Sequence, residues 1–314
     1  MGRRKNKGRH VSGVLLLDKP QGCSSNHILQ KVKRLFDAAK AGHTGSLDPL
    51  ATGMLPICLG EATKISAFLL DSDKRYRLAC QLGVGTNTGD AEGEVIDTQD
   101  ATAITEQDIL AVLPEFIGEI EQVPPMFSAL KHNGERLYDL ARQGIEVERK
   151  PRSITIYKID YISLTTDEQQ RIILELDIEC SKGTYVRTLA EDIAKKLDCC
   201  AHITALRRLS VGPYSGDMVT IDDLIALSEE GQDALDACLQ PIDSGVADWP
   251  DVHLGSDAAF YVRQGQPVLV PHAPTEGWVR IYDQSHFLGL GEIQDDGLVA
   301  PRRMSVGPYS GDMV

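Results

Sequence analysis

A single aspartate, Asp48, stands in the run GHTGSLDPLATG, between glycine-containing turns and directly before a proline. A carboxylate in this setting can cap the turn that it makes with Pro49, which is a common use of aspartate before proline. It can also act as a nucleophile or a base. His43 and Asp48 alone are too few ligands for a metal site, and no second cluster joins them. We therefore predict no metal, and the local sequence leaves both roles of Asp48 open.

Two further polar residues occur at places where chemistry is often found. Tyr76 lies between two arginines at the start of an alternating apolar segment. Its ring can stack on a nucleobase, or it can be an ordinary strand tyrosine. Arg187 follows CSKGTYV, where a strand leads into a helix. Its guanidinium can keep a partly buried carboxylate ionised or form a surface ion pair, and both alternatives stay open.

Several familiar motifs fail on their context. GMLPICLGEATK lacks the Gly-Lys-Ser/Thr ending of a phosphate-binding loop. GVGTNTG has one residue too many for the dinucleotide fingerprint, and DAEGEV rather than a helix follows it. No Gly-x-Ser-x-Gly elbow occurs. These patterns give no support to a nucleotide cofactor or to a serine hydrolase.

Periodicity and turn signals predict the elements that must position these side chains. A strand at Val11–Leu17 leads through a turn to a helix capped by Ser24 or Ser25, and EATKISAFLLDSD reads as an amphipathic helical stretch. Thr105 can cap a short helix. Two strands, SITIYKIDYISL and RIILELDIECS, precede the helix LAEDIAKKL. Strands and helices alternate without regular βαβ repeats, so we predict a mixed α+β body rather than a doubly wound sheet.

Charge and turn composition divide the chain into segments. The first ten residues carry five Lys or Arg and no acid, although the whole chain has a net charge of −14. We predict that residues 1–10 form a basic arm that binds along the backbone of a polyanion. The alternative is a tail that only makes the protein more soluble. Short strands joined by Gly and Pro turns begin after residues 240–250. We therefore predict a body at 11–245, with an insertion at about 124–152, and a small β domain at 246–314.

The cysteine pattern and the hydropathy indicate the cellular compartment of the protein. Seven cysteines are scattered without a CxxC pair, which is typical of reduced thiols in a cytoplasmic protein. No apolar run approaches the ~20 residues that a membrane-spanning helix needs, and the N-terminus lacks a secretory signal. We expect a cytoplasmic protein with no membrane partner.

Longer blocks of sequence carry a family resemblance. In chain order over residues 13–209 they are GVLLLDKPQGCSSN, AGHTGSLDPLATGMLPICLGEATK, DKRYR, GTNTGDAEGEV, PPMFSALKHNGERLYDLARQGIEVER, CSKGTYVRTLAEDIAKKL and AHITALRRL. These blocks resemble the TruB family of bacterial tRNA pseudouridine synthases, and the β segment after them resembles the family's PUA-like domain. The resemblance implies an α+β fold, with a mixed-sheet pseudouridine synthase catalytic domain and a small all-β PUA-like C-terminal domain.

The tail after Arg303 departs from the family pattern. Its segment RRMSVGPYSGDMV, at 302–314, repeats residues 207–219 with one change. We assign no function to this repeat.

The resemblance implies catalytic roles for four residues. Asp48 would be the essential aspartate, and Tyr76 would stack on the target base and take part in proton transfer. Arg187 would pair with Asp48, and Asp90 would complete a carboxylate–guanidinium network with that arginine.

The resemblance also implies substrate contacts and a partner. His43 would organise a flipped-out nucleotide, and Tyr185 and Leu206 would line the base pocket. Lys19 and Lys64 would lie nearer the scaffold or the RNA backbone. The implied partner is tRNA, bound by its T-arm with help from the insertion and the basic arm, and the implied target is uridine 55. We expect a monomer.

The implied reaction fits these residue types. Pseudouridine formation breaks a C–N bond and makes a C–C bond to the same sugar carbon, with no net oxidation, so no cofactor or metal is predicted. It needs an ionised carboxylate that is shielded from water, and we expect Arg187 to hold the pKa of Asp48 down. Two alternatives stay open: a non-catalytic RNA-binding protein of the same fold, and a glycosidase or nucleoside hydrolase that uses Asp48 and Asp90.

Overall fold

The computed structural model describes residues 8–284 and 286–305. Its strands, in chain order, are β1 Gly13–Lys19, β2 Ala41–His43, β3 Thr52–Leu59, β4 Lys74–Leu82, β5 Val84–Thr86, β6 Val95–Thr98, β7 Gly118–Gln122, β8 Lys131–His132, β9 Glu135–Arg136, β10 Arg152–Thr166, β11 Ile172–Cys180, β12 Ala201–Val211, β13 Tyr214–Ser215, β14 Asp251–Leu254, β15 Trp278–Asp283, β16 His286–Ile293 and β17 Val299–Met304. The α-helices are α1 Ser25–Leu35, α2 Ser66–Leu70, α3 Glu106–Val112, α4 Leu137–Arg142, α5 Val186–Lys196, α6 Ile221–Glu230, α7 Gln232–Asp236 and α8 Ser256–Arg263. Three short 3₁₀ helices are Gly60–Lys64, Leu113–Phe116 and Ser244–Val246.

One large mixed sheet forms the body. Its main path is β1-β3-β12-β4-β11-β10-β7, with β2 paired to β3 and β13 to β12. The β3–β12 pair is parallel, and the other pairs along this path are antiparallel. This confirms the predicted α+β mixed sheet. The parallel contact is between strands far apart in the chain, and it places the end of β12 beside the loop that carries Asp48.

Local sequence explains the two helices that frame this loop. The Ser24 side chain accepts a hydrogen bond from the backbone N–H of His27 and caps α1. In α5 the apolar residues recur every three or four positions, so that one face is buried in the body core. The buried residues of that face include Val186, Leu189, Ala190, Ile193 and Ala194. These helices hold the loop before β3 and the first turn of α5 on a common scaffold.

The small C-terminal sheet is confirmed, and it is joined to the body by aromatic side chains. Its strand order is β14-β15-β16-β17. The ring of Phe68 lies 4.9 Å from that of Trp249 and 5.1 Å from that of Trp278, measured between centroids. Helix α8 packs Ala259 and Val262 into the core of this sheet, and it is an element that the sequence analysis did not predict.

Other predicted elements differ in detail. The stretch predicted as one amphipathic helix divides into the 3₁₀ helix Gly60–Lys64 and α2. The insertion contains a β8–β9 hairpin, which turns at Asn133–Gly134 with positive φ at both residues, and then α4.

Among the described residues, no helix is long and apolar enough to cross a membrane.

The predicted arm and the repeated tail fall mostly outside the described residues. Residues 1–7 and 306–314 are not among them, so the arm interpretation is untested there. Arg9, at the end of that arm, donates to Asp236 at 2.7 Å and to the carbonyl of Phe36 at 2.8 Å. This arginine is therefore bound to the body rather than extended towards a partner.

Lys74 supplies a stability prediction. Its ammonium is buried and donates to the carbonyls of Leu70, at 2.8 Å, and Ser72, near the end of α2. Burial lowers its pKa to about 8, and the charge of Arg208 adds to the effect. The unfolded chain therefore binds more protons than the folded chain between about pH 8 and the ordinary lysine pKa of 10.5, so this group makes the fold more stable as pH rises through that window.

We expect Lys74→Met to reduce this pH-dependent gain by up to about 3 kcal/mol. Urea unfolding of both proteins at a series of pH values from about 7.5 to 10.5 measures the difference, and comparison with wild type cancels the groups that both proteins share. The same pH dependence in the variant would contradict the assignment.

Candidate active site

Hydrogen bonds from buried side chains fix the Asp48 loop. The N–H of Ala51 donates to the carbonyl of Asp48 at 3.0 Å, so Asp48 opens a turn that has Pro49 at its second position. The hydroxyl of Ser25, in the first turn of α1, accepts from the N–H of Leu47 at 2.7 Å and bonds its carbonyl at 3.0 Å. The fully buried Lys19 donates to the carbonyl of Ala51 at 2.6 Å. Asp48 does open a turn, and this turn holds the residue in the lining of the cleft.

Arg187 meets Asp48 across 139 positions of sequence. Its Nε lies 3.0 Å from Oδ2 of Asp48. The other two nitrogens donate to backbone carbonyls, Nη1 to Thr88 at 2.6 Å and Nη2 to Phe127 at 2.7 Å. The arginine is buried, so all three edges of its planar guanidinium are committed to the protein. This fixes the position of the Asp48 carboxylate relative to three separate segments.

Asp90 brings a second carboxylate to the same guanidinium. Its Oδ2 lies 3.6 Å from Nη1 of Arg187. Its Oδ1 accepts from the hydroxyl of Thr88 at 2.6 Å and from the N–H of Glu92 at 3.1 Å. Two carboxylates therefore share one buried cation, which is the network that the family resemblance implies.

Burial and nearby charges act on the pKa of Asp48 in opposite directions. Burial raises the pKa of Asp48 above its ordinary value, the charge of Asp90 adds to the rise, and Arg187 and Lys19 oppose it. The expectation that Arg187 would hold the pKa down agrees with the arginine's own contribution, and the net direction is set by burial. Desolvation in the cleft outweighs the single cation.

A cleft of about 620 Å³ opens over this network. Asp48, Asp90 and Arg187 line it. The insertion contributes Arg136, Tyr138 and Arg142 to the same lining. The guanidinium carbons of Arg136 and Arg142 lie 5.6 and 5.4 Å from the centre of the Tyr138 ring, and Arg136 also donates to its hydroxyl at 2.7 Å. The cleft therefore combines a carboxylate floor with a cationic, aromatic wall.

Three of the remaining predicted residues lie on strands beside the loop. Tyr76 is buried on β4, directly opposite Arg208 of β12. Leu206 is two residues earlier on β12, so it faces the same side of the sheet. His43 ends β2 and is half-buried, and its Nδ1 has no hydrogen-bond partner within the described part of the chain.

The other three predicted residues are Tyr185, whose backbone is fixed, and two lysines that are bonded within the framework. Tyr185 precedes α5, where the side chain of Gln122 bonds both its N–H and its carbonyl, at 2.8 and 3.1 Å. Lys19 lies beneath the Asp48 loop rather than in the cleft. Lys64 bonds Glu61 at 2.6 Å and the carbonyl of Met304 in the C-terminal sheet at 2.5 Å, and it does not line the cleft.

Arg208 is a buried residue beside the Asp48 loop that sequence reasoning missed. It is the largest fully buried side chain of the described residues and touches the loop through Gly45. The sequence signal that could have found it is a charged residue at a position of the alternating strand ALRRL where the side chain faces inward.

Across residues 8–284 and 286–305, no group of three His, Cys, Asp or Glu side chains is arranged to hold a metal ion.

Family models match nearly the whole chain. A model described as TruB family pseudouridylate synthase (N terminal domain) matches residues 33–186. One described as tRNA pseudouridylate synthase B C-terminal domain matches 187–247, and one described as Pseudouridine synthase II TruB, C-terminal matches 250–304.

Individual proteins and solved structures agree with these models. A protein of Nitrosococcus oceani named tRNA pseudouridine synthase B is 54% identical, over 96% of this chain and 97% of its own. One of the same name from Yersinia pestis is 53% identical, over 98% and 96%. A crystal structure of a Cbf5-Nop10-Gar1 complex contains a chain that is 28% identical, with a TM-score of 0.68 over 90% of this chain and 78% of that one. With its carboxylate–arginine cleft, this chain belongs to the TruB family of pseudouridine synthases.

Proposed function

We propose that this enzyme converts uridine 55 in the T-arm of tRNA to pseudouridine, with Asp48 as the essential catalytic carboxylate. The single observation that carries the proposal is the Asp48–Arg187–Asp90 network at the floor of an open cleft. Family membership supplies the reaction type, and the names of the relatives support tRNA as the substrate.

The chemistry suits these groups. The isomerisation breaks the bond between C1′ and N1 of uracil, turns the base, and bonds C5 to the same C1′. Uridine and pseudouridine have the same atoms, so the reaction consumes no oxidant and no group donor. An ionised Asp48 can attack C1′, attack C6 of the base, or remove the 2′ proton, and Arg187 holds it in place for any of these steps.

The target base lies within folded RNA and must leave its stack to reach Asp48. Flipping costs a few kcal/mol, and stacking on an aromatic ring returns about 1–3 kcal/mol. We assign that stacking to Tyr76, the organisation of the flipped nucleotide to His43, and the lining of the base pocket to Tyr185 and Leu206. Lys19, which is fully buried, and Lys64, which bonds Glu61 and Met304, then act through the scaffold.

We further propose that the enzyme acts as a monomer in the cytoplasm. All seven cysteines are free thiols, which agrees with a reducing compartment. Light scattering of the purified chain, alone and with tRNA, tests the monomer.

The direct test is pseudouridine mapping on an unmodified tRNA transcript incubated with the purified chain. We expect one modified position, uridine 55 in the T-arm. Release of free uracil would favour a hydrolase, and an intact transcript without pseudouridine would favour a non-catalytic RNA-binding protein. Either result would overturn the proposal.

The raised pKa of Asp48 gives a prediction for acid pH. We expect the single-turnover rate to rise with pH and to reach half its maximum above pH 3.8, the ordinary value for this carboxyl. The sign follows because burial favours the protonated form, which cannot act as a nucleophile or a base. Single-turnover rates between about pH 4.5 and 8 measure this acid side of the pH–rate profile. Circular dichroism at each pH excludes unfolding. A rate that stays constant down to the lowest pH at which the protein is folded would contradict it.

The cationic wall gives a prediction for RNA affinity. We expect Arg142→Ala to weaken tRNA binding and to reduce the salt slope of log K by about 1, which corresponds to one lost phosphate contact. The single-turnover rate at saturating enzyme should change little, because Arg142 touches the cleft wall and not the Asp48 network. Filter binding at several salt concentrations measures the slope. The matched control is Arg171→Ala, on the turn between β10 and β11, where the arginine pairs with Asp167. An equal effect of both changes would contradict the assignment.

A further inference from the structure

Arg208 carries a buried charge without an opposite charge beside it. The residue is 1% exposed, and no carboxylate among residues 8–284 and 286–305 forms an ion pair with it. Its Nε donates to the carbonyl of Met54 at 2.7 Å and its Nη2 to that of Gly45 at 3.1 Å. A guanidinium stays protonated in proteins, and burying a charge is costly unless it is paired. The enzyme therefore keeps a cation where the fold alone gains little from it.

The position of this cation points to the base pocket. Arg208 and Tyr76 are directly opposed on neighbouring antiparallel strands, so their side chains lie on the same face of the sheet. Leu206 shares that face because it lies two residues earlier on β12. Gly45, whose carbonyl accepts from Arg208, lies between His43 and Asp48 in the loop and has a φ of +118°, which favours glycine.

Neighbouring groups respond to the charge. Burial is the main reason that the pKa values of Lys19, His43 and Lys74 fall below their ordinary values, and the charge of Arg208 adds to each fall. At Tyr76, burial raises the pKa of the phenol, and the charge of Arg208 together with a hydrogen bond from it opposes the rise. These four groups lie on β1, β2 and β4, so the charge of Arg208 acts on residues of three strands of the large sheet.

Arg187 cannot supply the same potential. Its charge is shared by Asp48, at 3.0 Å, and Asp90, at 3.6 Å. Once Asp48 and Asp90 are ionised, the network of these two carboxylates with Arg187 is itself net negative and offers no spare positive charge for an anionic base. Arg208, by contrast, is a cation of this pocket with which no carboxylate of the described residues forms an ion pair.

We propose that Arg208 is a positioning residue whose fixed charge stabilises the negative charge on the detached uracil, acting through Tyr76. The inference rests on the proposed function. When Asp48 attacks C1′ or removes the 2′ proton, the C1′–N1 bond breaks and its electron pair stays on uracil, which becomes an anion. C5 of that anion then uses a ring electron pair to bond C1′; in the first route the bond from C1′ to Asp48 breaks and its electron pair returns to the carboxylate, and in the second C2′ takes its proton back from Asp48. The proton on C5 then leaves, and N1 takes up a proton. A preorganised buried cation lowers the energy of the anionic stage without reorganising.

The test compares Arg208→Lys, which keeps a charge, with Arg208→Gln, which keeps a hydrogen-bond donor but no charge. We expect Arg208→Gln to lower the single-turnover rate by about 10²–10³-fold, the usual effect of removing one electrostatic stabiliser, with tRNA affinity within about threefold of wild type. Arg208→Lys should stay within about tenfold in rate. Equal losses in both variants, a loss that appears in affinity instead, or an unchanged rate in Arg208→Gln would overturn the proposal.

Arg207→Gln is the matched control. Arg207 is the adjacent residue, points to the other face of β12, and pairs with Asp18 at 2.6 Å. The same substitution there should leave the rate within about twofold, and a loss as large as that of Arg208→Gln would overturn the proposal.

A readout without catalysis covers the case in which Arg208→Gln does not fold. We expect the imidazole of His43, followed by NMR, to titrate below its ordinary pKa of 6.5 in wild type and in Arg208→Lys. It should titrate at higher pH in a folded Arg208→Gln. A wild-type His43 that titrates at or above 6.5 would show that the pocket lacks the positive potential and would overturn the inference. The proposed function fails separately, if the wild-type chain forms no pseudouridine.

Discussion

Asp48→Asn is expected to lower the rate of pseudouridine formation by at least about 10⁴-fold, as removal of an essential catalytic group does in other enzymes. The change replaces a carboxylate by an amide of the same shape, which is a poor nucleophile and a poor base. The loop should keep its conformation, because Ser25 and Lys19 fix it through backbone atoms. Arg187 keeps Asp90 as a counter-charge, so the substitution does not leave a buried cation alone.

Two measurements on the same variant separate chemistry from binding. Single-turnover assays at saturating enzyme give the rate, and filter binding gives the affinity for tRNA, which should stay within about threefold. The matched control is Asp37→Asn, at an exposed position with positive φ that asparagine tolerates. If Asp48→Asn retained activity, the essential-carboxylate mechanism would be wrong, and an RNA-binding role would become the better interpretation.

Arg187→Lys is expected to lower the rate by about 10²–10³-fold with little change in affinity. A lysine keeps the charge but not the planar fork, so it cannot reach Asp48 and the carbonyls of Thr88 and Phe127 together. The carboxylate would lose its fixed position, and at least one buried carbonyl would lose its donor. Because small displacements at a reacting centre are costly, the loss should appear in the chemical step.

The pH profile distinguishes the charge of Arg187 from its shape. Arg187→Gln removes the cation that opposes the burial of Asp48, so the pKa of Asp48 should rise further and the acid limb of the rate should move to higher pH. Arg187→Lys should leave that limb near its wild-type position. Arg77→Lys, on the exposed face of β4, is the control and should be close to wild type in rate and profile. Identical profiles for all the proteins would rule out the electrostatic role.

Much of the fold could be predicted because the signals are local. The caps Ser24 and Thr105 and the apolar periodicity of α1 and α5 act within a few residues, and the structure has helices at these places. The predictions were less accurate where tertiary contacts decide which residues form a helix. Helix α8 exists because Ala259 and Val262 complete the core of the C-terminal sheet, and its sequence has only a weak helical pattern. The junction between the 3₁₀ helix and α2 is likewise set by packing against that sheet and the body.

The sequence by itself determined which residues to examine: Asp48 in its glycine-flanked turn, Tyr76 at a strand start, and Arg187 at a strand-to-helix junction, together with the motifs that resemble one family. Only the tertiary structure decided that Asp48 and Arg187 meet at 3.0 Å, that Lys64 joins the C-terminal sheet instead of the cleft, and that Arg208 lies buried opposite Tyr76. It also decided the net direction of the Asp48 pKa, because the burial that raises it and the Arg187 charge that opposes it both come from tertiary contacts. The physical reason is range: turns, caps and periodicity depend on neighbours in the chain, whereas burial, ion pairing and electrostatic potential depend on segments that only the folded sheet brings together.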